Sequence, residues 1–225
     1  MLFTHKPRPS FPLATQINSK YSRKYETISG KLYPSITTIL SATSDKSGID
    51  RWRKSVGESV ADFIVSNALD TGTRTHKLAE EYLNNRPYSD SHSLLSEAHL
   101  NKLKPFLHKI NHIYGTELAL FSDIHSMAGT CDCVAEYDGK LSIIDFKTSR
   151  KEKREDWITN YFLQATAYSI MWEELTNIPI NQIVILISGE DNTVSEFVRD
   201  PNNYKEELFQ TLEKYHIQNK IPAQK

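Results

Sequence analysis

The sequence has little cysteine, no long apolar run and no excess of charge of either sign. Its two cysteines, Cys131 and Cys133, are too close together to be good disulfide partners and too few for a four-thiolate metal site. The longest hydrophobic stretch, residues 183–187, has the length of a strand and cannot span a membrane. We therefore expect free thiols in a reducing compartment and no membrane segment.

The charge balance and the missing motifs exclude several classes of protein. The chain has 27 Lys and Arg against 28 Asp and Glu, a formal net charge of −1. This balance excludes a polybasic wrapper but permits a local basic groove. There is no glycine-rich phosphate loop ending in Lys-Ser or Lys-Thr, so the chain is not a helicase or an ATPase. Neither a nucleophile elbow nor the spacing of a zinc protease is present.

The remaining composition, with 39% hydrophobic residues among 225, is that of a globular protein with one sizeable core. Residues 1–34 are rich in basic and turn residues, and we expect a flexible N-terminal arm, with a mitochondrial transit peptide as the alternative. We expect residues 35–225 to form a single domain. Within it, residues 35–113 show helical periodicity, and residues 114–225 follow the order β-β-β-α-β-β-α. This order predicts an α/β (α+β) fold.

The most informative segment is residues 129–149, where two β-rich runs flank the dipeptide Asp138-Gly139. This dipeptide is typical of a two-residue type I′ hairpin turn. Such a turn pairs Tyr137 with Lys140 and fixes the register of the whole hairpin. The side chains of the two strands can therefore be assigned to faces from the sequence alone.

In this register Asp132 lies directly opposite Asp145, and Lys147 shares their face. Two adjacent carboxylates repel each other unless a cation lies between them, and Mg²⁺ or Mn²⁺ is the usual cation held by oxygen ligands. A neighbouring lysine can stabilise the charge that develops during phosphodiester hydrolysis. A surface hairpin with an Asp–Lys ion pair is the alternative. The opposite face is expected to carry the apolar side chains of the hairpin, Cys131, Cys133, Ile144 and Phe146.

The hairpin residues, together with an ordered set of flanking motifs, resemble the PD-(D/E)XK nuclease superfamily in its RecB-like branch, which includes mitochondrial and phage exonucleases. The flanking motifs are Tyr33-Pro-Ser-Ile-Thr-Thr-Ile-Leu40, Gly72, His76, Glu80, Glu117, Gly129, Gln164 and Tyr168. The resemblance covers nearly the whole chain after residue 30. It implies a nuclease core with a central mixed β-sheet flanked by helices and preceded by an N-terminal helical lobe.

The resemblance also implies a role for each matching residue. Asp132 and Asp145 would be metal ligands and Lys147 the catalytic lysine. His76 and the backbone carbonyl of Phe146 would be further metal ligands. Three more residues would complete the catalytic set: Glu117, Gln164 and Tyr168.

Basic and aromatic side chains near these motifs are candidates for DNA binding. Lysine and arginine clusters supply the phosphate contacts that dominate nucleic-acid affinity, and aromatic rings can stack on unpaired bases. A solvated loop with interleaved acids is the alternative for the cluster after the hairpin. The candidates are Arg150, Lys151, Lys153, Arg154, Arg51, Trp52, Arg53 and Tyr161.

The predicted function is a metal-dependent DNA exonuclease that degrades single-stranded DNA from its ends with Mg²⁺ or Mn²⁺. The resemblance implies that the helical lobe arches over the site so that a strand must thread into it. A structure-selective endonuclease and a catalytically inactive DNA-binding module are the alternatives. We expect a monomer that works beside replication or recombination proteins. The bacterial cytoplasm, for a phage protein, is the expected compartment, and the mitochondrial matrix is the alternative.

Overall fold

The computed structural model describes residues 2–18, 23–89 and 92–219. The strands in these ranges are β1 Thr4–His5, β2 Thr15–Asn18, β3 Arg23–Glu26, β4 Leu32–Pro34, β5 Ile110–Ser122, β6 Met127–Tyr137, β7 Lys140–Ser149, β8 Ile183–Gly189 and β9 Val194–Arg199. The α-helices are α1 Ile36–Thr43, α2 Ser47–Val56, α3 Glu58–Leu83, α4 Leu94–Leu107, α5 Thr159–Thr176 and α6 Lys205–Asn219. None of the helices in the described ranges is long and apolar enough to cross a membrane.

A six-stranded mixed sheet in the order β1-β5-β6-β7-β8-β9 forms the centre of the molecule. β5, β6 and β7 are antiparallel neighbours, β8 lies parallel to β7, and β9 lies antiparallel to β8. The parallel step from β7 to β8 requires a crossover, which α5 provides. The predicted fold class, a central mixed sheet flanked by helices, is confirmed.

The two faces of this sheet are covered by different helices because alternate strand residues point in opposite directions. Ile143 on β7 packs with Trp172 of α5 in the core on one face, to which α1 and α6 also contribute. Ile144, the next residue, packs with Leu78 of α3 in the core on the other face, together with α4. The sheet is therefore buried on both sides.

The N-terminal residues differ from the predicted flexible arm of residues 1–34. β1 pairs in parallel with β5, and β2, β3 and β4 form a separate antiparallel sheet. Phe3, Phe11 and Tyr25 are buried, and Phe3 packs edge-on against Tyr82 of α3 with ring centroids 5.2 Å apart. These contacts join residues that are far apart in the sequence, so the local pattern of apolar residues in the segment could not predict them. The division into residues 35–113 and 114–225 stays a prediction, and β5 begins at Ile110, before that boundary.

The first part of the predicted helical lobe contains α2 and the much longer α3. Gly57, with φ of 87°, separates α2 from the 26-residue α3 because glycine tolerates this left-handed conformation. The second half of α3 is anchored by buried side chains such as Leu78 and Leu83. The first half projects from the core and leaves Phe63 and Leu69 about two-thirds exposed, each at 67%.

Candidate active site

The β6–β7 hairpin has the turn and the initial register that the sequence predicts. Asp138 and Gly139 have φ of 48° and 79°, as a type I′ turn requires. Tyr137 pairs with Lys140, and regular pairing continues as far as Cys133 opposite Ile144. This part of the prediction is confirmed.

The pairing of Asp132 directly opposite Asp145 is wrong, because the regular ladder ends one step earlier. The Phe146 backbone N–H instead donates to Asp132 Oδ2 at 2.8 Å, so that a carboxylate takes the place of a ladder carbonyl. Asp132 is thereby held at the point where the two strands separate. The opening between the strands gives its second oxygen access to the site.

At Asp132 on β6 and Glu117 on β5, the alternation of side chains between the two faces of the sheet is broken. Cys131 packs in the α5-side core, whereas Cys133 packs in the α3-side core, so the expectation that both share one face with Ile144 is wrong for Cys131. Glu117 on β5 has φ of 50° and lies between the pairs Thr116–Cys133 and Leu118–Cys131. A left-handed residue inside a strand interrupts its alternation. The interruption places Glu117 beside Asp132.

His76, Glu117 and Asp132 form a cluster that could hold a divalent cation. One nitrogen or oxygen ligand atom from each lies within 4.8 Å of the others. His76 Nδ1 is 3.4 Å from Asp132 Oδ1. Carboxylate and imidazole donors suit Mn²⁺, and carboxylates alone suit Mg²⁺. The donor set therefore fits the cation that the sequence predicted, with Glu117 as a ligand candidate in addition to His76 and Asp132.

Asp145 lies behind this cluster and is fully buried. The Lys147 ammonium contacts Asp145 Oδ2, and no other group of the described residues donates a hydrogen bond to this carboxylate. An ionised carboxylate buried in this way is costly unless a cation compensates it. The predicted ligand roles of Asp145 and of the Phe146 carbonyl stay predictions.

The pKa values of the site share one cause, a surplus of negative charge in a poorly solvated place. Burial raises the pKa of Asp145 to about 6, and Lys147 only partly opposes it. The Glu117 side chain faces the cavity, whose walls exclude much of the solvent around it. This desolvation, together with the nearby charge of Asp132, raises the pKa of Glu117 to about 7. Burial lowers the pKa of His76, yet the charge of Asp132 outweighs burial and brings it to about 9. Each of these three shifts favours the protonated form, and a cation bound at the site would displace those protons.

Two helices hold the remaining predicted residues against the hairpin. The second half of α3 carries His76, whose ring packs edge-on to Phe146 at 6.4 Å between centroids. On α5, Gln164 Nε2 donates to the Tyr168 hydroxyl at 3.0 Å, one helical turn apart. The Tyr168 ring packs so closely over Gly129 that a Cβ there would lie 2.8 Å from Tyr168 Cε1. This contact explains the glycine at the start of the motif.

These residues surround one cavity of about 500 Å³. The middle of α3, the β2–β4 sheet, α1, β5, β6, β7 and α5 form its walls. Asp145 lies beneath the wall rather than on it. The cavity lining includes the predicted residues His76, Glu117, Asp132, Lys147, Gln164 and Tyr168.

The structure does not bring most of the predicted DNA-binding residues to this cavity. Arg150, Lys151, Lys153 and Arg154 follow β7 on the exterior, and Arg51, Trp52 and Arg53 lie on α2; none of these seven is among the residues that line it. Arg53 is paired with Glu58 and Asp62, and Arg154 is paired with Asp156 at 2.9 Å. Their DNA contacts stay predictions.

Tyr161 is the exception among these candidates, because its ring faces the Lys147 ammonium at 5.2 Å from the centroid. It also lines a second groove, of about 600 Å³, between α1, the start of α2 and the start of α5. Thr37 and Gln164 line both the groove and the catalytic cavity. The groove is therefore a continuation of the cavity.

The sequence prediction missed the residues of the cavity wall that come from the N-terminal region. Gln16, Arg23 and Thr37 line the cavity but were not among the candidates, and neither was Thr130 of β6. Thr37 belongs to the Tyr33–Leu40 motif, which was a usable signal. No sequence pattern indicated Gln16 and Arg23, because only the pairing of β2 and β3 brings them to the site.

Comparisons with known proteins agree with this architecture. A family model of the PD-(D/E)XK nuclease superfamily matches residues 50–223. The chain is 31% identical over 147 residues to mitochondrial genome maintenance exonuclease 1 of Homo sapiens, covering 60% of this chain and 42% of that protein. It is 31% identical over 130 residues to the Mus musculus protein of the same name, covering 53% and 38%. The matches thus span less than half the length of these relatives. The resemblance seen in the motifs is confirmed.

A solved structure from Eubacterium rectale is also similar, with a TM-score of 0.44 and 13% sequence identity over 65% of this chain and 64% of that chain.

Proposed function

The chain belongs to the PD-(D/E)XK nuclease superfamily, and on that premise we propose that it is a metal-dependent exonuclease that hydrolyses phosphodiester bonds from the ends of single-stranded DNA. One observation carries the proposal: the Lys147 ammonium, in contact with Asp145, lines the same cavity as the His76–Glu117–Asp132 cluster. Carboxylates, a histidine and a lysine in one cavity are suited to hydrolysing a phosphate diester. The names of the similar mitochondrial exonucleases point to the same activity.

In this proposal the carboxylates of Asp132 and Glu117 and the His76 imidazole hold Mg²⁺ or Mn²⁺, with Asp145 contributing from beneath. A cation held by these residues would supply positive charge to the phosphate oxygens and to the attacking water. Lys147 donates a hydrogen bond to the water or to a phosphate oxygen and stabilises the charge that develops there. The Phe146 N–H keeps Asp132 in place throughout.

The shape of the cavity supports a single strand as the substrate. Asp132 is 8% exposed and Asp145 is fully buried, so the scissile phosphate must enter deeply to reach them. A flexible single strand can bend into such a cavity, whereas the backbone of a rigid duplex cannot follow it. Tyr161 at the adjoining groove is placed to stack on an unpaired base.

The position of the cavity between projecting elements supports attack from a strand end. The first half of α3 contributes Leu69 to one wall, and β3 contributes Arg23 to another. A strand end can be threaded between them, while a closed circle must be inserted as a loop. We further propose a monomer that acts beside replication or recombination proteins, in the cytoplasm of a bacterial host or in the mitochondrial matrix.

The test compares linear and circular single-stranded DNA of one sequence, with Mg²⁺, Mn²⁺ or EDTA. We expect the linear form alone to be degraded, and EDTA to abolish the reaction because the carboxylate cluster then holds no cation. Lys147→Ala should lower the rate by at least about 100-fold, since it removes a charge from the developing phosphate centre. Lys140→Ala, at the exposed hairpin turn of the same strand, is the matched control and should retain full activity.

Cleavage of the circle would identify an endonuclease and contradict the threading argument. DNA binding without cleavage in either metal would identify an inactive DNA-binding module. Full activity of Lys147→Ala would show that the chemistry lies elsewhere.

A further inference from the structure

We propose that Arg23 binds a phosphate of the substrate strand inside the catalytic cavity, which makes the N-terminal β2–β4 sheet part of the substrate site. The inference rests on the proposed nuclease function and assigns a task to a residue outside the catalytic cluster. Arg23 also lies outside residues 50–223, the part of the chain that matches the superfamily.

The cations that line the cavity differ in whether the protein pairs them with an acid. Lys147 is paired with Asp145, Lys77 with Glu80 at 2.9 Å, and His76 with Asp132. Arg23 has no acidic partner among the described residues. It is therefore the cation on this wall whose charge the protein itself does not neutralise. A substrate phosphate, which is repelled by the neighbouring carboxylates, needs such a group.

The Arg23 side chain lies on the face of the small sheet that is turned toward the cavity. Arg23 pairs with Asn18 and Tyr25 pairs with Gln16, so these four side chains share one face of the small sheet. Tyr25 is fully buried on that face, and its hydroxyl is 2.9 Å from Thr130 Oγ1 on β6. Gln16 and Thr130 both line the cavity. The face that carries Arg23 is therefore the one turned toward the nuclease core.

Hydrogen bonding to a neighbouring segment holds the backbone at Arg23 in place. Its carbonyl accepts the Ser35 N–H at 3.1 Å, next to the start of α1. Ser35 in turn bridges to Ala128 on β6. Arg23 thus lies on a strand that is connected to the catalytic sheet through Ser35. The Arg23 guanidinium donors face the cavity and are available to a ligand there. A guanidinium can give a phosphate two parallel hydrogen bonds, which suits it to fix the register of a strand.

The test measures the affinity for a fluorescent single-stranded oligonucleotide over a series of KCl concentrations in Mg²⁺. All variants carry Lys147→Ala so that the strand stays intact. We expect Arg23→Gln to raise Kd about tenfold, and the slope of log affinity against log salt to fall by about 0.7, the value of one phosphate contact. Arg23→Lys, which keeps the charge, should recover much of the affinity.

Lys24→Gln is the matched control. It removes the same charge from the next residue of β3, which pairs with Ile17 and points to the opposite face. We expect Lys24→Gln to leave the salt slope unchanged. In the cleaving protein, Arg23→Gln should raise KM far more than it lowers kcat.

Equal Kd values and salt slopes for Arg23→Gln and Lys24→Gln would overturn the proposal. So would a loss of folding in Arg23→Gln measured by thermal melting, because it would show that Arg23 makes a structural contact. A wild-type protein that binds the strand but cleaves no DNA would contradict the proposed function instead. The binding series would then still decide whether Arg23 contacts phosphate.

Discussion

Asp145 shows most clearly how a single residue of this site differs from an ordinary core residue. It is fully buried on β7 between Ile144 and Phe146, and the Lys147 ammonium contacts its Oδ2. A group whose pKa is raised by folding, here to about 6, destabilises the folded state at any higher pH. The charge that suits Asp145 to bind a cation therefore lowers the stability of the metal-free protein.

We predict that Asp145→Asn stabilises the metal-free protein while it abolishes cleavage. Asparagine removes the buried charge, and unfolding experiments in EDTA at pH 7 should give a gain of about 1–3 kcal/mol. The gain should shrink as pH falls from about 6 and vanish below about pH 4, where the carboxyl becomes protonated in both the folded and the unfolded states.

The control for this prediction is Asp138→Asn, at the exposed turn of the same hairpin, which should not change the stability. A loss of stability in Asp145→Asn at pH 7 would mean that the ion contact with Lys147 outweighs the cost of burying Asp145.

At the scale of elements, the packing of α5 on β6 determines the shape of the site. Gly129 lets the Tyr168 ring lie against the strand, and the Gln164 side chain holds that ring by its hydroxyl. The sequence predicted both the strand and the helix, because their periodicities are long and clear. It could not predict the break in alternation at Glu117, since that depends on one left-handed residue.

We predict that Gly129→Ala destabilises the protein by about 1–3 kcal/mol through overpacking. The new Cβ would lie 2.8 Å from Tyr168 Cε1 and 3.2 Å from Ile36 Cγ2, and both side chains are buried. Thermal unfolding should show Tm lowered by several degrees. Gly48→Ala, on α2 with no atom within 4 Å of the new Cβ, is the control and should not lower Tm. Equal Tm values for the two variants would refute the overpacking account.

At the scale of the whole molecule, local patterns predicted the sheet and the hairpin, but not how distant segments assemble. A turn and a two-residue period brought Asp132, Asp145 and Lys147 together in the prediction, although the regular ladder ends one step before Asp132 and Asp145. The N-terminal strands could not be placed, since β1 pairs with β5 more than 100 residues later. The site that results is more negative than the nearly neutral chain as a whole.

The central claim, that this surplus of negative charge is a divalent-cation site, is tested most directly by calorimetric titration of the metal-free protein with Mn²⁺. We predict binding to the wild-type protein and to Asp138→Asn. Binding to Asp132→Asn should be weakened at least about tenfold, because that carboxylate is one of the three candidate ligand groups of the cluster. Equal Mn²⁺ affinity in Asp132→Asn and the wild type would contradict the account.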